Sequence, residues 1–205
     1  MDGYNIVNLK EFVEVLGEER VKETLSSFRC DKNLDVEEFL KYKAIEFSKQ
    51  GIASTFLVFT SYKDEQVLIG YYSLANKFWT ISNKALSKNL ERVIRRYATL
   101  PDSKEGGHKV YNLAIPLIAQ LGKNFENDYN KLISGDELLK MACDEIVKAQ
   151  LILVGKLAYV ECVDDEHLKE FYEQNGFRYV NKRDLPKSEK GPNDPDYYLQ
   201  YLIKL

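Results

Sequence analysis

From Asp35 onward, β-branched and aromatic runs alternate with amphipathic helical periods, and that alternation constrains the fold more than any other feature. Val36, Phe39, Leu40, Ala44 and Phe47 recur at helical spacing, with Glu37, Glu38, Lys41, Lys43 and Lys49 off that face. Asn33 or Asp35 can cap this helix and Gly51 closes it. Two β-branched and aromatic runs, 55–60 and 67–75, flank the polar segment 61–66 and read as a β-hairpin. The second run continues through Ile81, enough for two strands or one bent strand. A separate helix is predicted over 84–97, with Leu86, Leu90, Val93, Ile94 and Tyr97 on one face. Its other face carries Lys84, Lys88, Arg92, Arg95 and Arg96 against a single Glu91. Strand 110–122 contains Pro116, which cannot donate to a ladder, so a break, a bulge or an edge is expected there. Helix 135–150, an apolar stretch 151–154 of uncertain type, strand 156–163, helix 166–174, strand 177–180, loop 182–196 and strand 197–203 complete the order. Strands alternating with helices argue for an α/β fold, a central mixed sheet with helices on both faces. No repeat or linker divides residues 1–205, so a single domain is expected, with residues 1–30 as an extension of one or two short helices.

Composition removes several classes. With 44% hydrophobic and 30% charged residues, the chain is an ordinary globular protein, neither disordered nor collagen-like. A formal charge of −3 argues against a globally basic nucleic-acid binder, although one basic face can still exist. No apolar run has the length of a membrane span, and Met1-Asp2-Gly3-Tyr4 has no signal-peptide character. Cys30, Cys143 and Cys162 make no disulfide framework, so the expected location is cytoplasmic. Two distant histidines, His108 and His167, exclude a multi-histidine metal site, and no metal is expected. Phosphate loops, dinucleotide fingerprints, nucleophile elbows and zinc-protease motifs are absent from the sequence. The triplet Asp164-Asp165-Glu166 reads first as a helix amino terminus, where carboxylates suit the dipole.

Two stretches carry chemistry. A strand ending in Leu121-Gly122 leads through a loop to Ile133-Ser134-Gly135-Asp136-Glu137-Leu138-Leu139, and free amides ahead of a helix suit a pyrophosphate. Further on, Phe171-Tyr172-Glu173-Gln174-Asn175-Gly176-Phe177 ends a helix in a left-handed cap and starts a strand at once. In this order and separation they resemble the GNAT superfamily of acyl-coenzyme-A-dependent N-acyltransferases. The second stretch is similar to that family's phenylalanine–tyrosine turn, and Tyr129 to Leu139 to its pyrophosphate loop and helix. Upstream, Phe28-Arg29-Cys30, Leu34-Asp35, Ser54-Thr55 and Gly70-Tyr71-Tyr72-Ser73-Leu74 resemble the toxin-type members, as does Ile115-Pro116-Leu117 followed by Gln120-Leu121-Gly122. Against the compact family core, residues 82–107 with their basic helix read as an insertion. Asn130 stands where the family has Gln or Arg, and Ile133 where it has a glycine. A branched side chain resists positive φ and crowds an approaching phosphate.

The resemblance implies a splayed sheet and an acetyl-CoA cosubstrate. Leu121, Gly122 and Lys123 would pair with the pantetheine arm, and Leu132, Ile133, Ser134, Gly135 and Asp136 would hold the pyrophosphate. Asp165 stands where an asparagine bonds the pantetheine; an ionised aspartate cannot donate. Tyr172 matches the general acid that protonates the departing thiolate, while the base is left between Glu161 and water. The implied activity is acetyl transfer to a primary amine by direct attack. An aminoacyl-tRNA acceptor, served by the basic helix, is the less favoured alternative, and an inactive binding protein of the same fold is another. A homodimer is compatible with the sequence, and no membrane partner is expected.

Overall fold

The computed structural model describes residues 3–98, 104–105, 107–186, 188, 190–191 and 195–205. Its elements are β1 (Tyr4–Asn8), α1 (Leu9–Leu16), α2 (Glu18–Ser26), α3 (Leu34–Glu38), a π-helical turn (Phe39–Lys43), α4 (Ala44–Lys49), β2 (Ser54–Tyr62) and β3 (Glu65–Ser82). Then come a 3-10 turn (Asn83–Ala85), α5 (Lys88–Ile94), β4 (Lys104–Glu105), β5 (His108–Lys123) and a second 3-10 segment (Glu126–Lys131). The chain ends with α6 (Gly135–Leu153), β6 (Leu157–Cys162), α7 (Glu166–Gln174), β7 (Arg178–Asp184) and β8 (Tyr197–Lys204). The architecture is α/β, and its contacts gather into two compact units, Met1–Ala75 with Ile118–Glu145 and Asn76–Leu117 with Ile146–Leu205. The long strands β3 and β5 run through both.

In the first unit the strands lie in the order β1-β2-β3-β5. β2 and β3 pair antiparallel out to Tyr62 opposite Glu65, so the hairpin loop is only Lys63 and Asp64, both left-handed at φ 51° and 65°. Two positive φ values fit the right-handed twist of the flanking strands. The helix predicted from Asp35 is present as α3, the π turn and α4, and Asn33 caps it by accepting from the amides of Asp35 and Val36. β1 was not expected, because Asn5 and Asn8 interrupt its apolar pattern; pairing with β2 from Tyr4 opposite Thr60 holds it. Leu9, Leu25, Phe28, Leu40, Leu57 and Tyr71 form the buried centre of this unit. Phe28 meets Tyr71 edge-on at 5.2 Å, and the Tyr71 hydroxyl donates to the Val36 carbonyl at 2.6 Å.

The second unit contains the end of β3, the start of β5, and β6, β8 and β7, with β8 antiparallel to both β6 and β7. Trp79 stacks on Tyr159 at 5.6 Å in its core. Of the break, bulge or edge expected at Pro116, the break does not occur: β5 is continuous through it, and the unit boundary follows one residue later. Helix 84–97 is shorter than its apolar periodicity suggests. Ser87 accepts from the Leu90 amide and starts α5 at Lys88, and only Ile94 of the expected face is buried. Part of the 82–107 insertion lies outside the described residues. α6 takes in Leu151 to Leu153, and left-handed Val154 and Gly155 end it. β7 runs on to Asp184 through residues that read as loop. No helix among the described residues is long and apolar enough to cross a membrane.

Candidate active site

The first unit gathers Leu121, Gly122, Lys123 and the loop 130–136. Gly122 is required by packing: a Cβ there would run into Val36 Cγ1, with Tyr71 Cε1 at 3.3 Å and Phe28 Cζ at 3.4 Å. Immediately after β5, Asn124 is 1% exposed and fixes the chain. Its Oδ1 accepts from the amides of Arg29 (2.9 Å) and Glu126 (3.1 Å), and its Nδ2 donates to the Leu68 carbonyl at 2.8 Å. Sequence reading missed this residue, since a lone asparagine after a strand looks like loop polarity. Asn127 and Asp128 follow in left-handed conformation at φ 48° and 63°. The Lys123 ammonium then donates to the carbonyls of Asn130 (3.0 Å) and Ile133 (3.2 Å). Burial, helped by the charge of Lys32, lowers its pKa from the ordinary lysine value.

The start of α6 is occupied by the protein's own groups. Ser134 and Glu137 form a reciprocal capping box: the Glu137 carboxylate accepts from the Ser134 amide and hydroxyl, both at 2.8 Å, and Ser134 Oγ accepts from the Glu137 amide at 3.1 Å. Tyr4 adds its hydroxyl, 3.2 Å from both Glu137 Oε1 and the Leu132 carbonyl. Those Ser134 bonds, chiefly, lower the pKa of the Glu137 carboxyl from its ordinary value. The Leu132 amide bonds the Tyr129 carbonyl at 3.0 Å. Of the amides from Leu132 to Asp136 expected to hold the pyrophosphate, those of Leu132 and Ser134 are bonded within the protein. Among the described residues, the amides of Ile133 and Gly135 have no partner. Ile133 also departs from expectation: its φ is negative and its side chain is 3% exposed, so it packs inward instead of crowding the loop's outer surface. The left-handed residues that a glycine-rich loop would supply stand earlier, at Asn127 and Asp128.

The second unit holds Tyr172 and Asp165. α7 ends as its sequence predicts, with Gly176 at φ 82° and its amide on the Glu173 carbonyl, while the Phe177 amide returns to the Tyr172 carbonyl at 3.0 Å. This turn packs the Tyr172 ring against Phe171, Phe177 and Tyr201, with centroids 5.1, 5.6 and 5.9 Å away. The residue is 8% exposed. Its hydroxyl has no hydrogen-bond partner among the described residues, yet it is not one of the fully sealed orphan atoms, which are Ser48 Oγ, Tyr72 Oη and Trp79 Nε1. Burial pushes the phenol well above the ordinary tyrosine value, so it keeps its proton. Asp165 is the cap of α7, accepting from the Leu168 amide at 3.1 Å. Asp164 pairs with Lys169 at 2.7 Å and accepts from Tyr197, which leaves the acidic triplet as a helix start. Glu161 is held on both oxygens, by the Arg183 guanidinium at 3.0 Å and by Gln200 at 2.8 Å. The Tyr111 hydroxyl donates to Glu91 of α5 at 2.6 Å, while Arg92 on α5 and Arg95 and Arg96 just after it are exposed.

No family model and no curated protein sequence matches the chain. Solved structures do. A tyrosine-to-phenylalanine mutant of the AtaT toxin superposes with a TM-score of 0.62 at 15% identity, covering 100% of this chain and 91% of that one. AtaT complexed with acetyl-methionyl-tRNAfMet gives 0.60 at 16% identity, over 96% and 93% of the two chains. AtaTR bound with AcCoA gives 0.53 at 15%, over 97% and 93%.

Proposed function

We propose, for a chain with the GNAT-like α/β fold of these toxins, that it transfers an acetyl group from acetyl-CoA to a primary amine. The observation that carries this reading is Tyr172, a buried ring in the phenylalanine–tyrosine turn with an unpartnered, proton-retaining hydroxyl. Acetyl-CoA, when bound, supplies an activated thioester. As a neutral amine attacks the carbonyl carbon and the C–S bond breaks, Tyr172 gives its proton to the leaving sulfur. A phenol held protonated by burial suits that role across the ordinary pH range. The reaction needs a hydrogen-bond donor for the carbonyl oxygen, and with both Glu161 oxygens engaged the amine's proton leaves through water.

The loop 130–136 fits the pyrophosphate in part. It offers the amides of Ile133 and Gly135, the positive end of a 19-residue helix and the Lys123 ammonium. Against these stands the Glu137 carboxylate, which holds the Ser134 amide between them and sets a negative charge beside the same loop. Thermal denaturation with acetyl-CoA tests the reading, since a ligand at 100 times its Kd adds about 2.7 kcal/mol to the native state. A rise in Tm followed by acetyl transfer to an amine is expected. No shift at millimolar acetyl-CoA would return the chain to the inactive-homologue reading.

Within the proposal, an aminoacyl-tRNA is the acceptor that specific observations favour. Arg92, Arg95 and Arg96 are exposed on and just after α5, Glu91 beside them accepts from Tyr111, and the similar AtaT has been captured with acetyl-methionyl-tRNAfMet. Retention of tRNA at low salt, lost when the three arginines become glutamate with acetyl-CoA affinity intact, is the expected pattern. Absent retention would leave small or protein amines as the acceptors.

A further inference from the structure

We infer that Phe78 on β3 sets the side-chain preference for the acceptor, selecting an α-aminoacyl group with a large apolar side chain, and that Asn112 on β5 receives the carbonyl of that group. This rests on the acetyl-transfer reading above and deepens it, since that reading leaves the acceptor's side chain open.

Strand alternation places both residues on the face of the sheet that carries Tyr172. Trp79 and Tyr159 stack at 5.6 Å, so their side chains share one face of the second unit. Neighbouring residues in a strand point to opposite faces, which puts Phe78 and Thr80 on the other, together with Val160. Val160 lies directly opposite Tyr201, and the Tyr172 ring packs on Tyr201 at 5.9 Å. α7 therefore covers this face over β8, and the strand order β3-β5-β6-β8 leaves β3 and β5 to one side of it. Phe78 is 71% exposed there, and Thr80 and Ala114 are exposed as well. On the opposite face of the same strands Trp79 and Leu113 are buried. A single exposed phenylalanine is ordinary. One on an uncovered strand pair, on the face of the unpartnered hydroxyl, is placed to meet what that hydroxyl serves.

The groups beside it fit an aminoacyl ester. The Thr80 hydroxyl donates to Asn112 Oδ1 at 2.9 Å, which leaves Nδ2, without a partner among the described residues, to donate to a carbonyl. The Phe78 ring suits an apolar or aromatic side chain. β3 and β6 lie two strand spacings apart, about 10 Å, so only a long side chain reaches Phe78 while its amine stays near α7. Proton balance points to the same acceptor. With both Glu161 oxygens engaged, an amine that arrives neutral is the better nucleophile. An α-amine, with an ordinary pKa of about 7.7–8.0, is partly neutral near pH 7.5, whereas a lysine amine at about 10.4 is not.

Acetylation of one tRNA charged in turn with phenylalanine and with glycine tests this. Wild-type protein should acetylate the phenylalanyl form with kcat/KM about 10-fold or more above the glycyl form, as contact with a large apolar group provides. Phe78→Ala should bring the two forms level, by raising KM for the phenylalanyl form about 10-fold with little change in kcat. Phe78→Leu should restore most of the preference, and Tm of both variants is the control for folding. Asn112→Ala should raise KM for both forms alike, and an unchanged KM removes the carbonyl contact. Equal kcat/KM for the two forms in the wild type, or a fall of both by the same factor in Phe78→Ala, overturns the inference and leaves the acetyl-transfer reading standing. If neither form is acetylated while acetyl-CoA binds, the α-aminoacyl assignment falls alone. If acetyl-CoA itself does not bind, the transfer reading falls and this inference falls with it.

Discussion

The entry to α6 and the exit from α7 are both helix ends in motifs that resemble one family, and the protein treats them in opposite ways. At the exit from α7 the backbone satisfies itself, through Gly176 and the Phe177 amide, and leaves a side-chain hydroxyl without a partner. At the entry to α6 the side chains satisfy the backbone, through Ser134, Glu137, Lys123 and Tyr4. The first arrangement leaves a reactive group available. The second occupies two of the loop's amides, those of Leu132 and Ser134, and closes that end with a negative charge. Turn geometry made by backbone bonds persists when side chains change, whereas a charge-capped loop can be opened by one substitution.

If that contrast is right, the largest effect should come from the free hydroxyl. Tyr172→Phe is expected to lower kcat by ~10²–10⁴-fold, the usual worth of a general acid. Acetyl-CoA affinity and Tm should hardly move, since no bond to the hydroxyl is lost within the fold. Wild-type kcat should also show no fall attributable to this phenol below about pH 10, because burial raises its pKa above that of a free tyrosine. The sign for stability is the same: the neutral buried phenol stabilises below the unfolded-state value and loses that contribution as pH rises beyond it. A fully active Tyr172→Phe protein removes the residue from the chemistry and the contrast with it.

Next in size are two substitutions that probe what positions the closed end. Asn124→Ala strands the Leu68 carbonyl and the amides of Arg29 and Glu126. At about 1–3 kcal/mol for each buried group left unpaired, the loss should be several degrees of Tm. Gly122→Ala pushes a methyl into Val36 and should cost about 1–3 kcal/mol. Urea denaturation measures both. If either variant keeps wild-type stability, the end of β5 is softer than its packing implies.

How much of this was legible beforehand differs between the two helix ends. The α7 exit was readable because it depends on local rules: a glycine that alone tolerates positive φ, and a phenylalanine on either side of it. The hairpin, α6 and the last strand were readable from periodicity for the same reason. The α6 entry was not. Its capping box spells Ser134-Gly135-Asp136-Glu137, a signature present in the sequence but outweighed by the expectation of free amides. Lys123 and Tyr4 reach the loop from 7 and 128 residues away, a pairing that no local pattern records. Ile133 was judged by the glycine it replaces, whereas its burial depends on tertiary packing. β1 was missed because five residues interrupted by Asn5 and Asn8 carry too short an alternation, and pairing with β2 stabilises it.

The smallest expected effect bears most directly on the closed end. Glu137→Gln keeps an acceptor for the Ser134 amide and hydroxyl but removes the negative charge from the start of α6. A carboxylate near a helix amino terminus contributes about 0.3–1 kcal/mol, so the variant should lose about that much stability. The same charge opposes a pyrophosphate at the same amides, so acetyl-CoA should bind about 3–10-fold more tightly to Glu137→Gln than to the wild type. The stabilising share of the wild-type carboxylate is present above its ordinary value and is lost as pH falls through its lowered native one. Lowering the pH towards 4 should therefore narrow the stability gap between the two proteins. Calorimetry on the pair, with Tm as the control, separates the roles. Lower stability with tighter binding means the cap and the ligand compete for one site. Lower stability with unchanged affinity means Glu137 is only a helix cap and the pyrophosphate, if it binds, lies elsewhere.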